Sequence, residues 1–200
     1  MQFNVLGNLT IRSHGETLSP GGIKQRTVLA MFVASAGREV SANTLIDAVY
    51  GDDATPGARR TIQTYVSNLR SIVGDAIKRA PGGWSLSVPR DSVDALRFED
   101  LYKTARDFDD KTVEDATTVL QEALGLWRGH PYADVEAHGY LDAEVSRLNE
   151  LRSAACAARI DADLALGRHV ELIGEIDALL AEHPYEERFR AQHMLALYRA

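Results

Sequence analysis

An α+β amino-terminal half followed by an all-α carboxyl-terminal half is the fold class that this 200-residue sequence predicts, and three observations carry it. Phe3, Val5, Leu9 and Ile11 keep one parity around Gly7, the period of short strands. Between Lys24 and Val73 the apolar residues instead recur at helical spacing in three blocks, each closed by a glycine, and a Pro-Gly-Gly hairpin follows. From Asp94 onward every apolar pattern is helical.

The elements follow in order. Leu18, after a His14-Gly15 turn, adds a further strand to the amino-terminal set. The first helix is expected over Lys24 to Ala36, with Val28, Leu29, Phe32 and Val33 on its inner face and Gly37 as its stop. Ser41 is expected to cap a second helix with Leu45, Ile46 and Val49 inside and Gly51 at its end, because a Ser oxygen accepts an otherwise unpaired first-turn N–H. Thr55-Pro56 supplies a cap and a proline at the first helical position for a third helix, which ends at Gly74. Ile77–Ala80 and Trp84–Val88 alternate as strands joined by Pro81-Gly82-Gly83. Strands, three helices and a closing hairpin make a winged helix-turn-helix domain, expected over residues 1–93.

Beyond it, Phe98, Leu101, Ala105 and Phe108 form one helical stripe, and Val113, Ala116, Leu120, Ala123 and Trp127 a second. A loop holds Gly129-His130-Pro131-Tyr132. Leu141, Val145, Leu148, Leu151, Ala155 and Ala158 sustain a long helix to about Leu166. Ile173, Ile176 and Leu180 mark the next, and Phe189 to Tyr198 the last. Paired helices separated by Gly-Arg and Pro-Tyr turns predict a tetratricopeptide-like helical repeat domain over residues 94–200.

Charge separates the same halves. Residues 1–95 hold ten Lys or Arg against eight Asp or Glu, and residues 96–200 twelve against twenty-one. The overall charge of −7 does not exclude a nucleic-acid partner, since such binding needs a local basic face. No apolar run reaches the length of a membrane span and the amino terminus has no signal-peptide pattern, so a cytoplasmic protein with no membrane partner is expected. Cys156, the single cysteine, cannot form an internal disulfide and lies among alanines, as a small packed residue would.

The third helix carries the chemistry. Ile62, Val66, Leu69 and Val73 form one apolar stripe, leaving Arg60, Thr64, Ser67 and Ser71 opposite it, flanked by Arg59, Gln63, Asn68 and Arg70. From Thr55 through Val73 there is no carboxylate, while Arg, Gln, Asn, Ser and Thr are the side chains that bond phosphates and base edges. The plainer alternative is a solvated amphipathic helix. On the hairpin, Lys78 and Arg79 are placed to touch phosphates or the minor groove; the alternative is that they are solvated charges protecting an edge strand.

Taken in order, Gly22-Ile23-Lys24-Gln25-Arg26, Asp47-Ala48-Val49-Tyr50-Gly51-Asp52, the Arg59–Arg70 helix, Pro81-Gly82-Gly83-Trp84, Leu126-Trp127-Arg128-Gly129, Leu166-Gly167-Arg168-His169 and Glu182-His183-Pro184-Tyr185 resemble the Streptomyces antibiotic regulatory proteins. These transcription factors join an OmpR-type winged helix to a bacterial transcriptional activator domain. The resemblance covers nearly the whole chain. It implies that the third helix enters the major groove with Arg60, Thr64, Ser67, Asn68 and Arg70 as contacts. It also implies that Lys24, Gln25 and Arg26 position the DNA backbone at a helix amino terminus. Related regulators often carry arginine at the positions of Ser67 and Asn68, so base preference does not transfer; members usually have tyrosine where Trp84 stands, a change that keeps an aromatic anchor. In the family a sequence like Leu197–Ala200 is followed by a further helix pair, which implies a longer natural protein or a short or fragmentary member of the family.

The function expected is a sequence-specific transcriptional regulator, an activator recruiting RNA polymerase at direct-repeat operators on double-stranded DNA, as a homodimer or tandem assembly. An adaptor with a degenerate winged helix, or the amino-terminal part of a larger signalling regulator, is the alternative. Catalysis is not expected. No nucleophile elbow, zinc-protease motif, Cys-x-x-Cys or phosphate loop is present, His130, His138, His169, His183 and His193 lack metal-ligand spacing, and no cofactor is implied.

Overall fold

The structure, a computed structural model, describes residues 1–107 and 112–200; Phe108 of the expected first stripe lies outside the described residues. Two compact units are formed, Met1–Arg97 with Leu126–Asn149, and Phe98–Gly125 with Glu150–Ala200. No described helix is long and apolar enough to cross a membrane.

The first unit opens with an antiparallel sheet of β1 (Gln2–Asn4), β2 (Thr10–Ser13) and β3 (Glu16–Leu18) in that order, with Phe3 opposite Ile11 and both side chains buried. Three helices follow: α1 (Ile23–Ala34), α2 (Ala42–Tyr50) and α3 (Ala58–Val73). Ser41 caps α2 as its sequence predicts, its Oγ accepting the Thr44 N–H at 3.0 Å. The start of α3 differs. Ala58 N–H donates to Thr55 O at 2.9 Å, closing a turn over Pro56-Gly57, and Gly57 occupies the cap position with no side-chain bond. Proline with its fixed φ suits the second position of such a turn as well as a helix start, so the sequence alone left the boundary two residues early.

Between α1 and α2 lies β4 (Val40–Ser41), too short to show an alternating pattern. It pairs with β6 (Gly83–Leu86), which also pairs with β5 (Ile77–Arg79), so β6 is central in the second sheet. Val28, Leu29 and Phe32 of α1, Leu45 of α2, and Ile62 and Leu69 of α3 are fully buried at the middle of this unit.

Residues 126–149 also belong to this unit. The reason is hydrogen bonding that no local pattern reveals. Arg128 N–H donates to Leu6 O at 2.7 Å and Tyr132 N–H to Val5 O at 2.9 Å, while Leu9 N–H donates to Asp134 Oδ1 at 2.7 Å. Thr27 Oγ1 donates to Glu136 O at 2.8 Å. At the centre, the buried Asp94 carboxylate accepts Val5 N–H at 2.8 Å, Leu6 N–H at 3.2 Å and Arg128 Nη2 at 2.9 Å.

The all-α region contains α4 (Asp94–Arg106), whose first residues belong to the first unit, then α5 (Val113–Leu124), α6 (Asp142–Ala165), α7 (His169–Glu182) and α8 (Glu187–Arg199). Trp127, assigned by periodicity to the α5 stripe, lies beyond that helix because Gly125 ends it. The core of the second unit joins Ala157, Ile160 and Leu164 of α6, Leu172 and Ile176 of α7, and Phe189 and Ala196 of α8. Cys156 packs against that core, and burial pushes its thiol above the usual cysteine value.

Replacing Asp94 by Ala leaves two buried N–H groups and Arg128 without their acceptor, and should lower unfolding free energy by about 2–4 kcal/mol in urea titrations. Burial pushes the Asp94 carboxyl above the usual aspartate value, against the pull of the two N–H groups and Arg128. The folded state therefore binds this proton more tightly than the unfolded chain, so the contribution is greatest below the unfolded pKa and is lost as pH rises through the folded one. Stability relative to Asp94→Asn should accordingly rise as pH is lowered from neutral into the aspartate range. A fall would show that the Arg128 ion pair outweighs desolvation.

Candidate nucleic-acid interface

On α3 the apolar stripe is buried, with Ile62 and Leu69 at 0% exposure, which fixes the rotation of the helix. Arg59, Arg60, Gln63, Thr64, Ser67, Asn68 and Arg70 are all exposed on the remaining face. Thr64 Oγ1 donates to Arg60 O at 3.1 Å and Ser71 Oγ to Asn68 O at 2.6 Å, so these hydroxyls spend their protons on the helix and turn oxygen lone pairs outward. Arg59 Nη2 donates to Asn43 Oδ1 at 2.9 Å, tethering the start of α3 to α2.

The β5–β6 hairpin is the wing. Ala80 and Gly83 exchange backbone hydrogen bonds at 3.0 and 3.3 Å, so the turn is Pro81-Gly82 and Gly83 joins the strand, one residue tighter than the expected Pro-Gly-Gly connection. A Cβ at Gly83 would stand 1.9 Å from Val40 O, so only glycine lets β4 pair there. Gly82 N–H donates to Glu39 Oε1 at 2.5 Å, which holds the turn from the α1–β4 connection. Lys78 and Arg79 are exposed, and the Arg79 guanidinium lies 5.3 Å from the Trp84 ring centroid, supported by a buried aromatic face. Helix and wing share an open cleft of 610 Å³, lined by Gln63, Ser67, Arg70 and Ser71 from α3 and by Arg79 and Trp84 from the hairpin. Asp75 lines it as well.

The three α1 residues are placed differently from one another. Lys24 is exposed, its Nζ 4.2 Å from the Tyr50 ring centroid. Gln25 is buried, and Arg26 is half-buried with Nη1 on Asp134 Oδ2 at 2.7 Å. Both have partners inside the fold, from α3 and from residues beyond 126, that the sequence places too far away to suggest. Glu39 and Asp134, which brace wing and α1, carried no sequence signal.

A winged helix followed by a helical region is the arrangement of a class of bacterial transcription regulators, and the family matches place the chain there. Residues 18–82 match the family described as transcriptional regulatory protein, C terminal, and residues 93–200 match the bacterial transcriptional activator domain. The chain belongs to the Streptomyces antibiotic regulatory protein family, whose members are transcriptional regulators rather than enzymes. It is 37% identical over 204 residues to the regulatory protein AfsR of Streptomyces griseus, which covers 100% of this chain and 21% of that protein. With the regulatory protein DnrI of Streptomyces peucetius it shares 33% identity over 213 residues, 100% of this chain and 78% of the relative. The solved structure of Mycobacterium tuberculosis EmbR, in complex with a low-affinity phosphopeptide, superimposes with a TM-score of 0.92 at 32% identity, over 99% of this chain and 54% of that one. The chain thus spans about a fifth of AfsR, half of the EmbR chain and most of DnrI.

Gly83→Ala should separate β4 from β6 and destabilise the first unit by about 1–3 kcal/mol or more. Gly82→Ala meets only the end of the flexible Glu39 side chain and should cost far less. Near-ultraviolet circular dichroism of Trp84 and urea titration measure both; equal effects would deny that the close approach of β4 shapes the wing.

Proposed function

We propose that this chain binds double-stranded DNA sequence-specifically, with α3 in the major groove and the wing against the neighbouring backbone, and activates transcription by recruiting RNA polymerase at direct-repeat operators. The observation that carries this reading is the continuous exposed face, free of carboxylates along α3, on which Arg70 and Arg79 meet across one cleft. A duplex presents one phosphate charge about every 1.7 Å of axis, so a helix face that carries guanidinium and amide groups and no carboxylate of its own gains counterion release on approach. Arg60, Arg70, Lys78 and Arg79 are the phosphate contacts in this reading; Thr64, Ser67 and Asn68, nearer the middle of the face, are the base contacts.

The helical region supplies the protein contacts in this reading, because its acidic balance repels DNA. Self-association of modules bound head to tail requires that each meet the same side of the duplex. Operators should therefore be direct repeats spaced about one helical turn, roughly 10 to 11 base pairs. Selection from random duplexes tests this, and recovery of inverted repeats would refute it.

Arg60→Ala and Arg70→Ala should each weaken binding to all sequences alike and reduce the slope of log affinity against log salt by about one unit. Thr64→Ala and Asn68→Ala should instead relax preference at one or two base pairs, by about 1–3 kcal/mol for a bidentate contact. Titrations of a selected operator and a scrambled duplex at several salt concentrations separate the two effects. An unchanged ratio of specific to non-specific affinity in both would move the reading face to Arg70 or the wing.

A further inference from the structure

Gln25 lies in the first turn of α1 at 8% exposure, with its amide between Gly21 and α3. Gly21 has φ +96°, and a Cβ there would stand 2.9 Å from Gln25 Nε2 and 3.0 Å from Cδ, so the glycine leaves the space that the amide fills. On the other side, Asn68 Nδ2 donates to Gln25 Oε1 at 3.3 Å. Asn68 is exposed on the face that the proposed function turns toward DNA.

We infer that Gln25 is a positioning residue for base reading: it holds the Asn68 amide in one orientation, so that Asn68 reads adenine in the major groove. The inference rests on the DNA-binding reading of α3. An amide that spins about its last torsion presents its oxygen and nitrogen ends interchangeably and discriminates poorly between donor and acceptor edges. With Nε2 toward Gly21 and Oε1 toward α3, Gln25 accepts only the nitrogen end of Asn68, which sets the orientation. That contact uses one of the two N–H groups of Asn68. The other, with Oδ1, is the pair that matches adenine, whose N7 accepts and whose N6 amine donates. Buried as it is, Gln25 acts through Asn68 and touches no base. Fixing the amide before binding also removes part of the ordering entropy that a mobile side chain gives up on association.

The test uses the full chain and an operator recovered by selection, with competition binding to every single-base-pair variant of that operator. Asn68→Ala identifies the base pair that Asn68 reads, which should carry adenine. Gln25→Met keeps the length and apolar bulk of the side chain but removes the acceptor; it should lower the preference at that same pair by at least about fivefold, the lower end for one bidentate contact. Gln25→Glu keeps an acceptor oxygen and should retain the preference, while its added negative charge weakens binding to all duplexes. In the Asn68→Ala background, Gln25→Met should change nothing further at that pair, and thermal melting confirms that each variant is folded. Uniform weakening by Gln25→Met with the preference intact would show that Gln25 only supports the fold, overturning the inference. A preference for another base at the Asn68 position would overturn it as well. Failure of the unaltered chain to bind any duplex would instead overturn the DNA-binding reading itself.

Discussion

The Asp94 carboxylate gathers three stretches of chain that lie far apart in sequence: the Val5-Leu6 bend after β1, the start of α4, and Arg128. Burying a charge is unfavourable unless its lone pairs are filled, and here two backbone N–H groups and a guanidinium fill them. Around that point Arg128 and Tyr132 donate to Leu6 O and Val5 O, and Asp134 then ties Leu9 to Arg26 of α1. The first sheet and α1 are thereby held in one frame. Because α1 and α3 pack together, with Phe32, Ile62 and Leu69 fully buried, that frame also sets where the exposed face of α3 stands.

Stability and recognition are divided on α3 by periodicity. Its stripe supplies apolar burial of about 1.5–3 kcal/mol per large side chain, enough to lock the rotation of the helix. The opposite face adds little to folding, since exposed arginines and hydroxyls contribute only tenths of a kcal/mol. Its composition is therefore open to selection by a ligand, and the absence of every carboxylate over Thr55–Val73 is a feature that folding does not require. The wing follows the same division: Trp84 and Leu86 are buried, while Lys78 and Arg79 stand outside, with Trp84 also supporting Arg79.

Features written at short range were legible in the sequence. The Ser41 cap, the Gly51 and Gly74 stops and the α3 stripe depend on neighbours within one or two turns, and each has its expected place. The exposed positions of Arg59 through Arg70 follow from that stripe alone. Features that depend on approach between distant segments were not legible. Strand β4 exists because Gly83 lets Val40 come close, and two residues carry no period. The surroundings of Gln25 and Arg26 were hidden for the same reason, since Asn68 is 43 residues from Gln25 and Asp134 is 108 from Arg26. Trp127 matched a helical period by coincidence, and only the end of α5 removes it.

Chain order adds a constraint on how the first unit forms. The chain leaves it after Arg97 and returns at Leu126, so the 28 residues Phe98–Gly125 are a loop that must close before Arg128, Tyr132 and Asp134 can reach their partners. For a flexible segment of this length the closure entropy is about 3 kcal/mol plus a constant, and it is smaller when the segment is stiffened by helices, as α4 and α5 stiffen this one. Each backbone bond formed on return contributes about 1 kcal/mol, and the Asp94 and Asp134 carboxylates add charge-assisted ones of about twice that. No one of these bonds matches the closure term, so they oppose it only as a set. Residues 126–149 match the activator domain in sequence and pack with the winged helix in the fold. Substitutions among Arg128, Tyr132 and Asp134 therefore act on the frame that carries α3, although they lie outside the region that matches the winged-helix family.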